Sequence, residues 1–109
     1  MSRDLLTKAQ QALADGDLIQ ASEKGWGAAA QAVKAVAQAR GWRHDSHRAL
    51  FETVARLARE TGDPDISTLF ATAQALHTNF YEHWLPQDLV ESDLNGVASF
   101  VRKLEPLAP

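Results

Sequence analysis

One segment restricts the fold more than any other: GWGAAAQAVKAVAQA, residues 25–39, has Gly, Ala or Val on nearly every side of a helix. Small side chains let neighbouring helices approach closely. A helix that is small or apolar almost all round belongs inside a bundle or at an oligomer interface. Trp26 stands between two glycines, and a large aromatic there is predicted to be an apolar anchor in the core. The segment therefore predicts a central helix with neighbours on several sides.

Apolar periodicity and capping signals divide the chain into five helices. Apolar residues recur with helical spacing in each segment, and no run is typical of a strand. The predicted starts are marked by Asp17, by Ser46 or Asp45, by Asp63 before Pro64, and by Asp88; the predicted stops are DGD at 15–17, Gly41, TGDP at 61–64 and Pro86. Short links favour antiparallel neighbours. We therefore expect one all-α domain, residues 1–109, folded as an up-and-down antiparallel four- or five-helix bundle.

The amino-acid composition argues against several classes of function. The net charge of −3 disfavours a broad basic surface for duplex DNA. The absence of Cys excludes a disulfide scaffold, a thiol nucleophile and a thiolate metal site, and it agrees with a cytoplasmic location. No apolar run reaches the roughly 18 residues of a membrane span, and the start, MSRDLLTKAQ, lacks the apolar stretch of a secretory signal. The 4 His match no standard zinc spacing, so no metal or other cofactor is expected.

Three blocks carry a family resemblance. DGDLIQASEKGWGAAAQAVKA at 15–35, SHRALFE at 46–52 and LHTNFYEHWLP at 76–86 resemble the PaREP family, within the HEPN-like superfamily of small helical proteins. The resemblance covers roughly residues 4–104, and its most specific words are ASEKxWGAA and LHxNFYE. It implies a HEPN-like bundle, which often forms dimers and sometimes pairs with a nucleotidyltransferase partner. It also implies that some superfamily members are metal-independent ribonucleases, whose motif is an Arg, then four to six other residues, and then a His.

The ribonuclease motif is matched once in letters, by Arg40 and His47. About one such match is expected by chance in a chain of this composition. The chemistry would need an imidazole to move the 2′-hydroxyl proton and a guanidinium to hold the phosphoryl oxygens. The segment RGWRHDSHR, residues 40–48, supplies both, and it could alternatively be a solvated loop. A metal-independent endoribonuclease using Arg40, His47 and His77 is therefore kept as the alternative function.

The stretch LHTNFYEHWLP, residues 76–86, closes the predicted fourth helix. On a helical wheel His77 falls within the apolar stripe, with Tyr81 one turn later. We therefore expect His77 to be at least half buried with a polar partner, namely Tyr81, Glu23 or Lys24. Asn79 and Glu82 fall on the opposite side, where we expect them to be exposed or to meet a second subunit.

The preferred function is a non-catalytic helical module. It is expected to form a homodimer and to bind a partner protein, such as a nucleotidyltransferase, or RNA or a nucleotide-like ligand. The candidate binding residues lie on the second helix, on the basic segment and near the end of the fourth helix: Glu23, Lys24, Lys34, Arg43, His47, Arg48, His77, Asn79, Tyr81 and Glu82.

Overall fold

Five α-helices make up the computed structural model, which describes residues 2–108. They are α1 (Ser2–Ala14), α2 (Leu18–Ala39), α3 (His47–Thr61), α4 (Asp65–Glu82) and α5 (Gln87–Leu104), followed by a 3₁₀ turn at Glu105–Leu107. No strand occurs within these described residues, so the predicted all-α bundle is confirmed. None of the helices in this part of the chain is both long and apolar enough to cross a membrane.

The helix α2 is the centre of the bundle and contacts each of the other four helices. Its small residues allow this, as Gly25 shows. A Cβ atom built there would lie 2.6 Å from Leu94 Cδ2 and 2.9 Å from Leu76 Cδ1, closer than carbon atoms pack. The absence of a side chain at Gly25 therefore lets α4 and α5 approach the backbone of α2. The prediction of a central small-residue helix is confirmed, and most of its small residues are buried inside the monomer.

Local sequence signals account for several helix ends. The Asp17 side chain accepts a hydrogen bond from the Gln20 N–H at 3.1 Å and begins α2, as predicted. Ser46 Oγ accepts from the Ala49 N–H at 3.1 Å and begins α3. At the end of α2, Gly41 has a φ of 71°, and the backbone hydrogen bonds around it satisfy the last carbonyls of the helix.

The last two helices begin differently from the prediction. Each starts immediately after a proline, Pro64 or Pro86, without a side-chain cap at that position. Asp63 accepts from the Asp65 N–H at 3.1 Å and also pairs with Lys103 Nζ at 2.7 Å, which ties the start of α4 to the end of α5. Asp88 lies in the first turn of α5, where its charge favours the helix N-terminus without capping it.

Three of the sequential helix pairs are antiparallel hairpins, as short links favour. The contacts that show this are Gly27 with Leu5 for α1 and α2, Phe51 with Phe70 for α3 and α4, and Gly96 with Thr72 for α4 and α5. For α1 with α2 and for α4 with α5, the two contacting residues lie at similar distances from the connecting turn. Along α3 and α4, the contacts of His47 with His77 and of Phe51 with Phe70 run in opposite order.

The link between α2 and α3 does not form an antiparallel hairpin, although its shortness favoured one. His47, which begins α3, stacks on Trp26, whereas Arg40 after α2 bonds Glu60 near the end of α3. The two contacts occur in the same order along both helices, so α2 and α3 run in the same direction. The link at 41–46 must therefore run back alongside α2 before α3 begins. The 14 residues from 26 to 40 rise about 21 Å in a helix, and six extended residues span about 20 Å. The returning link therefore brings His47 to the middle of α2.

Candidate functional site

Four side chains meet where α2, the start of α3 and α4 come together; we call them the histidine–aromatic cluster: Trp26, His47, His77 and Tyr81. The Trp26 and His47 rings stack with planes 6° apart and centroids 5.2 Å apart. The indole also packs against His77, with centroids 4.6 Å apart. Tyr81 meets His77 edge-on at 5.4 Å, since residues four apart share a helix face. The cluster thus unites residues from three helices.

The two imidazoles of the cluster face each other, with the Nε2 atoms of His47 and His77 3.2 Å apart. At this distance one ring donates an N–H and the other accepts it, because two imidazolium ions would place two donors and two positive charges together. Burial lowers the pKa of His77, and the charge of His47 lowers it further. The expectation that His77 is at least half buried with a polar partner is confirmed, although that partner is His47.

One side of the cluster is open to solvent. The Tyr81 side chain is 69% exposed, and His47 is also exposed. Beside Trp26 and His47 lies a cleft of about 240 Å³ that is also lined by Lys34 and His44. The site therefore combines an exposed aromatic ring with two imidazole groups, and an ammonium group lines the cleft beside it. Such a set can stack a planar ligand and attract an anion.

Asn79 is a structural residue, and the expectation that it points outward is wrong. Its side chain is only 1% exposed, and Nδ2 donates to Ser22 Oγ on α2 at 2.9 Å. Its Oδ1 accepts from the backbone N–H groups of Trp84 at 2.8 Å and Leu85 at 2.7 Å. The chain turns sharply after α4, where His83 has a φ of 56°. Because the following segment folds back over Asn79, a wheel drawn for an isolated helix misplaces it.

The basic segment at 40–48 does not form a single surface. The guanidinium groups of Arg40 and Arg56 lie over the Trp42 ring, at 5.1 and 4.0 Å from its centroid. Arg43 points to solvent and pairs at 3.5 Å with Asp45. Arg48, also exposed, lies 3.9 Å from Glu52. The three arginines of the segment are therefore spread from the end of α2 to the start of α3, and Arg40 packs on Trp42 together with Arg56 of α3.

Arg40 and His47, the two residues that match the ribonuclease motif, are far apart in the structure. Arg40 bonds Glu60 at 2.6 Å at the end of α2, whereas His47 lies against Trp26. Along α2 these two positions are about 21 Å apart. Of the three residues of the ribonuclease alternative, the fold brings His47 and His77 together and leaves Arg40 outside their cluster.

Comparisons with known proteins agree with this fold and with the predicted PaREP resemblance. The model of the archaeal PaREP1/PaREP8 family matches residues 1–101. The chain belongs to this family. The crystal structure of a protein from Sulfolobus solfataricus has a TM-score of 0.87 and 23% sequence identity, over 99% of this chain and 96% of that chain. At that identity the likeness shows the fold alone. No curated protein sequence matches the chain.

In this PaREP1/PaREP8 family member, the two most specific sequence motifs contact each other in the fold. The first motif, ASEKxWGAA, supplies Ser22 and Trp26 on α2, and the second, LHxNFYE, supplies His77 and Asn79 on α4. Trp26 packs on His77, and Ser22 bonds Asn79. The two motifs therefore describe one contact between α2 and α4.

The other predicted binding residues of α2 and α4 lie outside the cluster. Glu23 and Glu82 are exposed, and Lys24 donates to Gln20 Oε1 at 2.7 Å. Sequence reasoning placed Trp26 in the core and omitted it from the binding residues. The spacing of Ser22 and Trp26, one helical turn apart, could have indicated that both face the same neighbouring helix.

Proposed function

We propose that this protein is a non-catalytic helical module that binds a nucleotide-like ligand at the histidine–aromatic cluster. The observation that carries the proposal is the exposed Tyr81 ring beside the paired imidazoles. Stacking on an exposed aromatic ring is the usual way in which proteins hold an unpaired base. The His47–His77 pair offers one ring N–H or one ring nitrogen to a base edge, depending on which tautomer the ligand selects.

The charge distribution favours a small ligand over a long nucleic acid. The chain carries a net charge of −3, which does not support the many phosphate contacts of duplex binding. Lys34 lines the cleft beside Trp26 and His47, and Arg48 follows His47 with an 87% exposed side chain. The cleft thus offers Lys34 to the phosphate of a mononucleotide or of the end of a single strand, and Asp45 lines the same cleft.

Homodimerisation belongs to the same proposal, through a different surface from the one that the small residues predicted. The small face of α2 is buried in the monomer. Large apolar side chains are exposed at the corner between α4 and α5, where Trp84 is 63% exposed and Leu89 51% exposed. Exposed apolar residues grouped in this way are typical of association surfaces. We place the self-association surface at this corner. The five-helix bundle also fits membership of the HEPN-like superfamily, and a nucleotidyltransferase remains the proposed partner protein.

The endoribonuclease alternative is not favoured by the geometry. General acid and general base groups must stand on either side of a phosphate, whereas the two Nε2 atoms are 3.2 Å apart and in contact. Arg40 lies outside their cluster and is paired with Glu60. Purified protein incubated with single-stranded RNA in EDTA should therefore leave the RNA intact, and cleavage lost in His47→Ala would revive the alternative.

Calorimetric titration with adenosine and guanosine 5′-monophosphates in EDTA tests the proposed function. We expect saturable binding that weakens about fivefold or more in Tyr81→Ala, since one stacked base contributes about 1–3 kcal/mol. Tyr81→Phe retains the ring and is the matched control, which should bind like the wild type. Absence of binding to either nucleotide, or equal binding by Tyr81→Ala, contradicts the proposal.

Sedimentation velocity tests the association surface separately. At micromolar concentration we expect about twice the chain mass of 11.9 kDa. The double substitution of Trp84 and Leu89 by Ser should reduce this to the monomer mass without loss of helical circular dichroism. A wild-type monomer throughout that range would contradict the dimer.

A further inference from the structure

The facing edges of His47 and His77 have the geometry of two ligands that share one ion. Their Nε2 atoms are 3.2 Å apart, and their ring centroids are 4.8 Å apart. A straight N–H···N hydrogen bond of this length would place the centroids about 5.5 Å apart. Two imidazoles on one tetrahedral ion, with bonds of about 2.05 Å, would have nitrogens about 3.3 Å and centroids about 5.2 Å apart. The observed centroid separation is shorter than both values and nearer to that of the shared ion, so the rings are angled to each other rather than aligned end to end.

We propose that the Nε2 atoms of His47 and His77 bind a divalent transition-metal ion such as Zn²⁺ or Co²⁺. Imidazole nitrogen is a preferred ligand of these ions. The inference goes beyond the proposed function, since nucleotide stacking on Tyr81 does not require an ion. On binding, the ring that donates its Nε2 proton loses that proton to solvent and takes up one proton at Nδ1. Both rings then stay neutral with a proton on Nδ1, and no net proton is released.

The surroundings of the two rings favour such a site. Trp26 stacks on His47 with planes 6° apart and packs on His77 at 4.6 Å, so both rings are held in place before an ion arrives. Ligands fixed by packing lose little conformational freedom on binding. His47 is exposed, which leaves a path for the ion and room for water as further ligands.

The site has two ligands from this chain. Residues 2–108 contain no group of three or more His, Cys, Asp or Glu side chains that could surround an ion, so water completes the coordination. Thirty positions separate the two histidines in the sequence. Spacing rules read ligands that are close in sequence, which explains why the sequence indicated no metal site.

Isothermal titration of ZnCl₂ and CoCl₂ into the untagged, full-length, EDTA-stripped protein tests the proposal. The matched variants use all four histidines of the chain: His47→Gln and His77→Gln remove proposed ligands, whereas His44→Gln and His83→Gln remove the other two. We expect about one ion per chain, and affinity that is weaker by about tenfold or more in the first two variants only. No binding by the wild type, or equal weakening in all four variants, overturns the site.

A second measurement needs no variant and so does not depend on the folding of a substituted protein. Paramagnetic Co²⁺ added to the wild type should broaden the imidazole proton resonances of His47 and His77 first. Resonances of His44 and His83 should remain sharp at the same ion concentration. Broadening that begins at His44 or His83, or at all four rings together, would show only unspecific surface binding and overturn the proposal. The metal titrations contain no nucleotide, so their failure is distinguishable from failure of the nucleotide test.

Discussion

Asn79 of α4 donates from Nδ2 to Ser22 Oγ of α2 at 2.9 Å, and both side chains are buried. Ser22 in turn donates to the Leu18 carbonyl at 2.7 Å. The Asn79 Oδ1 atom accepts the two backbone N–H groups with which the chain leaves α4. One amide thus joins two helices and a turn, and it fixes the end of the helix whose middle carries His77.

Replacement of this amide should destabilise the protein. In Asn79→Ala, the part-buried N–H groups of Trp84 and Leu85 lose their acceptor, and the buried Ser22 Oγ loses its donor. A buried polar group left without its partner costs about 1–3 kcal/mol. We expect the free energy of unfolding in urea to fall by roughly that amount or more. Asn95→Ala, at an exposed position within α5, is the matched control and should change it little. A wild-type midpoint in Asn79→Ala would contradict the structural role.

The sequence predicted those features of the fold that depend on neighbouring residues. The caps at Asp17 and Ser46 were predictable because the donor N–H lies three residues from the accepting side chain. The central position of α2 followed from its small side chains. In contrast, the pairing of His47 with His77 depends on the direction in which the link at 41–46 returns along α2. That direction is set by packing between helices, which a single sequence does not specify.

The two glycines of α2 should respond in opposite ways to the same substitution. A Cβ at Gly25 meets Leu94 at 2.6 Å and Leu76 at 2.9 Å, whereas a Cβ at Gly27 meets only Leu5, at 3.4 Å. Gly25→Ala should overpack the core and destabilise the protein by about 1–3 kcal/mol. Gly27→Ala gains helix propensity and should stabilise it by up to about 1 kcal/mol. Thermal melts of both variants check the pair, and equal shifts would show that α4 and α5 do not press on Gly25.

The Trp42 ring is the anchor of the link between α2 and α3. The Arg56 guanidinium lies 4.0 Å from the ring centroid, and a cation over an indole face contributes about 0.5–1 kcal/mol at an exposed site. Arg56→Gln should therefore lower the free energy of unfolding by about that amount. Arg59→Gln, at an exposed position on the same helix, is the control. If both substitutions have the same effect, the ring contact contributes nothing.

The unfolding free energy should depend on pH through His77. Folding lowers the pKa of His77 below its ordinary value of 6.5, first by burial and then by the charge of His47. As the pH falls through 6.5, the unfolded chain therefore binds a proton more readily than the folded chain does. The stability associated with neutral His77 is present above that pH and decreases as the pH falls toward the lower folded-state pKa.

The groups that face His77 identify the source of this dependence. They are Trp26 from α2, His47 from α3 and Tyr81 from α4 itself, and of these it is His47 whose charge lowers the pKa of His77. Urea unfolding between pH 8 and pH 5, in EDTA so that no metal ion contributes, should show a falling midpoint. The slope should be smaller in His77→Gln and unchanged in His83→Gln, whose histidine lies outside the cluster. A slope that His77→Gln leaves intact would assign the pH dependence to groups other than the His47–His77 pair.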